Sequence, residues 1–429
     1  MEISELYKLF LEHRVITTDS RDCPKDSIFF ALKGESFNGN AFAAAALEKG
    51  CAYAVVDRQV GNNPRLILVD DVLTTLQQLA NYHRMTFNIP VIGITGTNGK
   101  TTTKELVSAV LRRKFNVLCT QGNFNNHIGV PLTLLGIKKE HEMAIIEMGA
   151  NHPGEIEFLC NIANPTHGLI TNVGKAHLEG FGSFEGVIKT KSELYRHLEK
   201  NHGTIFVNPD NSFLMSALDN THARIVLYSS LIAMMEGGEM LNYKWSRGEV
   251  KTHLCGDYNF ENLIAAITVG MHFMVNEVDI HQAISEYVPT NNRSQITNTA
   301  TNKLIIDTYN ANPTSMTASI NNFNNMECKN YKIAILGDML ELGAESIAEH
   351  RTIVEKLRTS HINRIILIGP EFGKALSMGP EDYTKIKNID YFATREELEQ
   401  QLQRAAITNA TILIKGSHGI ALEKLVEHL

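Results

Sequence analysis

Short apolar runs alternate with glycine turns and helix-period stretches along the whole chain. Near the start, SIFFAL (27–32), AYAVVD (52–57) and RLILVD (65–70) read as strands, with NAFAAAALEKG (40–50) as a helix between them. The helix-period stretch TTLQQLANYHRM (74–85) ends ahead of Pro90, which disfavours helical backbone at Ile89. A small α/β unit over residues 1–86 follows from that boundary. From 87 to 296 the strands AIIEMG, HGLITNVG and GTIFVN alternate with helices, the pattern of a mostly parallel sheet. The Asn- and Thr-rich stretch VPTNNRSQITNTATNK connects to a third segment, 297–429, carrying KLIIDTYN, KIAILGD, RIILIG and TILIKG. Strand ends tipped by Asp, Gly or Lys predict a doubly wound, Rossmann-like sheet with ligands outside its carboxyl ends. The expected fold is α/β in three domains.

The sharpest local pattern is VIGITGTNGKTTTKELVSAVL, residues 91–111. A buried strand meets a glycine turn, and Leu106, Val107, Val110 and Leu111 then recur at helical spacing. Backbone N–H groups of such a turn, at a helix N-terminus, cradle phosphate. Lys100 would reach the outer phosphates and the Thr101 hydroxyl would hold Mg²⁺. Ile94 stands where the common G-x-x-x-x-G-K-[ST] pattern begins with glycine, while Gly96 and Gly99 supply the backbone freedom. A nucleoside-triphosphate site is expected here.

Composition narrows the partners. With 40 Lys and Arg against 47 Asp and Glu, the net charge is −7, which argues against a nucleic-acid or membrane surface as main partner. Anion binding must then be local, at loops. Cys23, Cys51, Cys119, Cys160, Cys255 and Cys328 lie far apart without a C-x-x-C, fitting a reduced cytosol. MEISELYKLF carries no signal core and no apolar run is long enough for a membrane. A cytoplasmic monomer is the expectation.

AIIEMGANHPGEI puts Glu147 at the carboxyl end of a strand, where a parallel sheet sets it beside the phosphate loop to help hold Mg²⁺. His177, after another strand, and Lys191, on a later helix, carry no signal from spacing alone. His13, His83 and the other scattered histidines read as surface residues. In NANPTSM, Thr314 or Ser315 is placed to cap a helix.

TGTNGKTT, GNFNNHIGVP, EMGANHPGEI, NVGKAHLEGFGS with KTKSELY, GDYNFENLIAA, DTYNANPTSM, LGDMLELG and KGSHGIALE follow one another in order. Together they resemble the Mur ligases of peptidoglycan synthesis, essentially end to end. TTDSRDCPKDSIFFALKGESFNGNAF is similar to the family's UDP-binding module. DTYNANPTSM is similar to the motif of the members that add D-alanyl-D-alanine to UDP-N-acetylmuramoyl-tripeptide, and the Asp-Asn-Pro-Arg of the diaminopimelate-adding members is missing.

The resemblance implies an ATP-dependent amide ligase working through an acyl phosphate with two Mg²⁺ ions. It assigns Gly96, Thr97, Asn98, Gly99, Lys100, Thr101 and Thr102 to the nucleotide phosphates, and Asn259 and Asn262 to the adenine side. Arg293 joins the nucleotide-binding set, and Asp307, Tyr309, Asn310 and Asn312 would close over the nucleotide from the third segment. Thr101, Glu147, His177 and Lys191 become the metal set, with Lys191 carbamylated by CO₂. Asn125 and Asn126 lie near the acceptor, Lys415 and Ser417 near the dipeptide. Ser20, Arg21, Lys33, Gly34, Phe37 and Gly39 would hold the UDP-sugar.

Three positions depart from the family pattern: His418 stands for Arg, Ile420 for Met, and Asn292 for the Gly before Arg293. Competing readings are an amino-acid-adding Mur ligase, a P-loop small-molecule kinase, and a scaffold that binds UDP-sugar peptides without catalysis. The intact Lys100, Thr101, Glu147 and Lys191 set speaks against the last.

Overall fold

The computed structural model describes residues 1–34, 36–218, 221–228, 233–236, 240–290, 293–378 and 388–429, so Asn292 lies outside the described residues. The first sheet is parallel, in the order β1 (Ile16–Thr17), β2 (Ile28–Phe30), β3 (Tyr53–Val56), β4 (Leu66–Leu68). β2, β3 and β4 are the apolar runs read from the sequence, and the two-residue β1 was not predicted. The helix Val72–Met85 follows, N-capped by Asp71, whose side chain accepts from Thr74 N. One continuous core runs from Leu6, Phe10 and Leu76 through Val130 and Leu134 to Ile146 and Leu194, so this unit is cemented to one face of the next sheet.

The central sheet comprises β5 (Val91–Thr95), β6 (Val117–Cys119), β7 (Met143–Glu147), β8 (His167–Ile170), β9 (Thr204–Val207) and β10 (Arg224–Leu227). All its pairs are parallel, in the order β10-β9-β8-β5-β7-β6. The chain departs from β5 to one side through β6 and β7, then returns to the other at β8. That reversal opens a crevice at the carboxyl end of β5. The small antiparallel sheet β11 (Met234–Glu236), β12 (Asn242–Trp245) and β13 (Gly248–Lys251) was not predicted. Its Tyr243 is fully buried on the far face of the central unit.

The third sheet holds β14 (Gln295–Asn298), β15 (Lys303–Asp307), β16 (Tyr331–Gly337), β17 (Arg364–Ile368), β18 (Ile389–Phe392) and β19 (Ala410–Lys415), in the order β14-β15-β19-β16-β17-β18. It is parallel except at its edge, where β14 runs antiparallel to β15, which makes it mixed. Apolar clusters cover both of its faces. Asp307 and Lys415 are register partners at the ends of β15 and β19.

Two local expectations are corrected. His83 is fully buried: Nε2 meets the Ile137 carbonyl at 2.8 Å and Nδ1 the Tyr7 hydroxyl at 3.1 Å. His281 and His350 are buried too. The cap of the helix Pro313–Asn325 is Asn312, not Thr314 or Ser315. Its side chain accepts from Ser315 N, and the Ser315 hydroxyl accepts from Asn312 N in return. Among the described residues no helix is long and apolar enough to cross a membrane.

Candidate active site

The chain leaves β5 at Thr95 and turns through Gly96 and Gly99 into the helix Lys100–Leu111. Gly96 has φ +141° and Gly99 φ +79°, and a Cβ on Gly96 would meet Thr171 Oγ1 at 2.0 Å. Ile94, by contrast, is a fully buried strand residue. The turn begins later than in the common pattern, so that position has no need of glycine. Hydrogen bonds stitch the loop to the segment after β8. Thr97 N donates to Asn172 O at 3.0 Å, Asn98 N to Asn172 Oδ1 at 3.0 Å, and Thr171 Oγ1 to Asn98 O at 2.6 Å.

Lys100 folds back onto this loop, donating to the carbonyls of Gly96 (2.8 Å) and Thr97 (3.0 Å). Burial lowers its pKa to about 8, against the pull of Glu147 and with the push of Arg293. Register explains Glu147: it pairs with Ile94, so its carboxylate emerges beside the loop. Thr101 Oγ1 donates to both carboxylate oxygens at 3.0 and 3.1 Å, and Asn125 Nδ2 donates at 2.8 Å. Lys104 Nζ lies 3.5 Å away, with side-chain exposures of 2% for Lys104 and 1% for Glu147. Sequence reading missed Lys104. It sits one turn beyond Thr101, on the face that meets β7, and that spacing was the available signal.

The third sheet supplies the opposite wall of a cavity of about 670 Å³. Lys415 Nζ pairs with Asp307 Oδ2 at 2.6 Å and donates to the Asn310 carbonyl at 3.2 Å. The Arg293 guanidinium lies 3.6 Å over the Tyr309 ring, and its buried Nε has no partner among the described residues. His418 remains beside Tyr309, with ring centroids 6.3 Å apart. Asn312 Nδ2 donates to Asn98 Oδ1 at 2.8 Å, joining the third segment directly to the glycine loop after β5. Ser417 is buried and accepts from Leu340 N at 2.9 Å, so it acts inside the fold.

His177 lines the same cavity. Its Nδ1 bonds Glu341 Oε2 of the third segment. Burial lowers its pKa most, Glu341 opposes that, and Lys100 and Lys191 add to it. Lys191 is buried, donates to the Ala150 carbonyl at 3.3 Å and lies 5.3 Å from the Phe181 ring centre. Burial pushes its amine well below the ordinary lysine range. No carboxylate lies within ion-pair distance of it among the described residues.

Asn259 and Asn262 are buried and brace the loop's helix. Thr103 Oγ1 donates to Asn262 Oδ1 (3.0 Å), Asn262 donates to Asn259 Oδ1 (2.9 Å), and Asn259 donates to the Cys255 carbonyl (2.7 Å). Thr102 and Asn126 line the cavity, but the Asn126 side chain also caps the helix Gly129–Leu135, accepting from Gly129 N at 2.9 Å. Among the described residues the cavity has no lining residue before Thr97, so Ser20, Arg21, Lys33, Gly34, Phe37 and Gly39 lie outside it. Arg21 is forked onto Asp19, Lys33 pairs with Asp57 at 2.8 Å, and Phe37 is exposed, covering Gly34.

Three sequence profiles match the chain in series: the Mur ligase family catalytic domain at 12–84, the Mur ligase middle domain at 94–270, and the Mur ligase glutamate ligase domain at 292–418. A Bacillus subtilis protein named UDP-N-acetylmuramoyl-tripeptide–D-alanyl-D-alanine ligase is 35% identical, over 96% of this chain and 92% of that one. The chain belongs to the Mur ligase family. MurF from Acinetobacter baumannii superposes with a TM-score of 0.85 at 31% identity, covering 96% of this chain and 92% of that one. MurF ligase from Thermotoga maritima, solved in complex with ADP, gives 0.82 at 26% identity, with 97% of each chain covered. This Mur ligase carries its Gly96–Lys100 loop, Glu147, His177 and the Asp307–Lys415 pair around one cavity between its second and third sheets.

Proposed function

We propose that this Mur ligase joins D-alanyl-D-alanine to the terminal carboxylate of UDP-N-acetylmuramoyl-tripeptide, with ATP cleaved to ADP and phosphate, in peptidoglycan precursor synthesis. The observation that carries the reading is a phosphate loop that shares its cavity with a third sheet. A kinase needs no such second wall.

In this reading a nucleotide's outer phosphates take the place of the Gly96 and Thr97 carbonyls as partners of Lys100, against the N-terminal N–H groups of its helix. The Thr101 hydroxyl and Glu147 carboxylate are hard oxygen donors already in contact, the type Mg²⁺ selects. Among the described residues no three His, Cys, Asp or Glu cluster as a metal cage, which fits an ion completed by phosphate and water. Bound there, Mg²⁺ would neutralise charge on the phosphate oxygens. A plain lysine amine is a poor ligand for it. Burial shifts the Lys191 amine toward the neutral form that attacks CO₂, and the carbamate, formed with loss of a proton, would supply the second site with His177.

The tripeptide carboxylate attacks the γ-phosphorus and ADP leaves. The dipeptide amine then attacks the acyl carbon of the resulting acyl phosphate, and phosphate departs with the carboxylate's oxygen. Water would destroy that intermediate, and the third sheet excludes it through the Asn98–Asn312 contact and the wall at Asp307 and Lys415. The UDP-sugar end extends to the first sheet, at Ser20, Lys33 and Phe37. The test is phosphate release and product mass from the purified chain. Release must need both acceptors together, whereas release with either alone would favour a kinase.

A further inference from the structure

His177 lines the cavity, and its hydrogen-bond partner Glu341 does not. The carboxylate therefore meets the ring at Nδ1 from outside the cavity lining, and Nε2 is the nitrogen left for a ligand. The two residues are 164 positions apart, one in the segment after β8 and the other in the loop after β16. Both sit at left-handed backbone, His177 at φ +50° and Glu341 at φ +63°. Non-glycine residues keep such conformations only where their surroundings over-determine them.

The surroundings of Glu341 do so. Met339 N donates to His350 Nε2 at 3.0 Å, Leu340 N to Ser417 Oγ at 2.9 Å, and Ser417 N to the Asp338 carbonyl at 3.1 Å. Asp338 in turn accepts from Glu371 N and Phe372 N at 2.9 Å each. The loop that aims Glu341 is thus anchored to β19 and to two helices of the third unit. A second ion pair, Lys175 with Glu349 at 2.7 Å, ties the same two segments together without touching His177.

We infer that Glu341 is a positioning residue for the ligation. Its carboxylate holds the His177 ring as the Nδ1–H tautomer and so presents the Nε2 lone pair to the cavity when the third sheet is docked. Docking and completion of the ligand set are then one event. A carboxylate behind a histidine fixes ring orientation and raises its basicity, and its loss commonly lowers metal affinity about 10–100-fold. The inference rests on the proposed reading of His177 as part of the Mg²⁺-organising set.

The test uses the full chain with ring-labelled histidine, nitrogen NMR, and titration of Mg²⁺ in the presence of ADP. Wild type should show His177 protonated at Nδ1 and bare at Nε2. Glu341→Leu should release the ring toward the Nε2–H form and raise the Mg²⁺ half-saturation about tenfold or more. Glu341→Gln keeps an acceptor oxygen and should restore both. Lys175→Met, which breaks the other cross-link, should leave the tautomer unchanged. An Nε2–H ring in wild type, or a Glu341→Leu ring that shifts without moving the Mg²⁺ titration, would overturn the inference. Neither reading needs turnover, so a chain that fails to make the amide sinks the functional proposal separately.

Discussion

Replacing Lys104 with Met removes the cation buried beside Glu147 and keeps most of its apolar stem. At the observed 3.5 Å separation, unit charges attract by about 5 kcal/mol at an effective dielectric constant of about 20. Desolvation of both ions offsets part of that. Stripping one partner from a buried pair costs roughly 3–5 kcal/mol, because the other charge is left uncompensated. Thr101 and Asn125 still hydrogen-bond the carboxylate, so the lower end applies, about 3 kcal/mol. For domains of roughly 150–250 residues each kcal/mol moves the midpoint about 2–4 °C, so the transition should fall by about 6–12 °C. Calorimetry reads it as the transition that ADP shifts upward. Glu147→Gln completes a double-mutant cycle, and the pair should couple by about 2 kcal/mol within the usual range for contacting residues. Coupling below about 0.5 kcal/mol, the level of independent sites, would refute the view that Lys104 compensates Glu147.

Three further outcomes follow from the same geometry. Gly96→Ala places a Cβ 2.0 Å from Thr171 Oγ1 at φ +141°, so ADP binding by calorimetry should fall at least about tenfold, with strain of order 1–3 kcal/mol. Gly122→Ala, strained at φ +52° but with nothing within 4 Å, should cost stability and leave binding intact. Lys100, lowered from 10.5 to about 8, is protonated in the unfolded chain but not in the folded one between those values. The nucleotide-free protein should therefore gain stability as pH rises through that window. ATP binding near pH 8 should draw a proton onto Lys100, seen as buffer-dependent calorimetric heat, and at pH 6 this uptake should vanish. Carbon NMR with labelled bicarbonate should show a carbamate signal in wild type that Lys191→Ala lacks; a signal that survives the substitution would contradict the assignment.

What could be read in advance was local. Val91–Thr95, Met143–Glu147 and Ala410–Lys415 are apolar runs buried on both faces, and such strands announce themselves by composition alone. The turn from β5 into the helix Lys100–Leu111 was legible because its two glycines stand between an apolar run and a helix-period stretch. The strands Met234–Glu236, Asn242–Trp245 and Gly248–Lys251 were not, since short antiparallel hairpins with mixed polarity lack an apolar run. His83 looked like a surface residue because its partners, Tyr7 and the Ile137 carbonyl, are remote in sequence. Glu341 stood in a recognised motif, LGDMLELG, yet its role depends on how the third sheet docks against the His177 loop. Asn312 shows two demands on one residue: it caps its own helix and pairs with Asn98.

The central claim is transfer of the γ-phosphoryl group to a peptide carboxylate at the loop that holds Lys100. Heavy oxygen placed in the terminal carboxylate of UDP-N-acetylmuramoyl-tripeptide tests it directly. After one turnover with ATP and D-alanyl-D-alanine, mass spectrometry should find one labelled oxygen in the released phosphate and the other in the new amide. Phosphate free of label, with the product formed, would contradict the account.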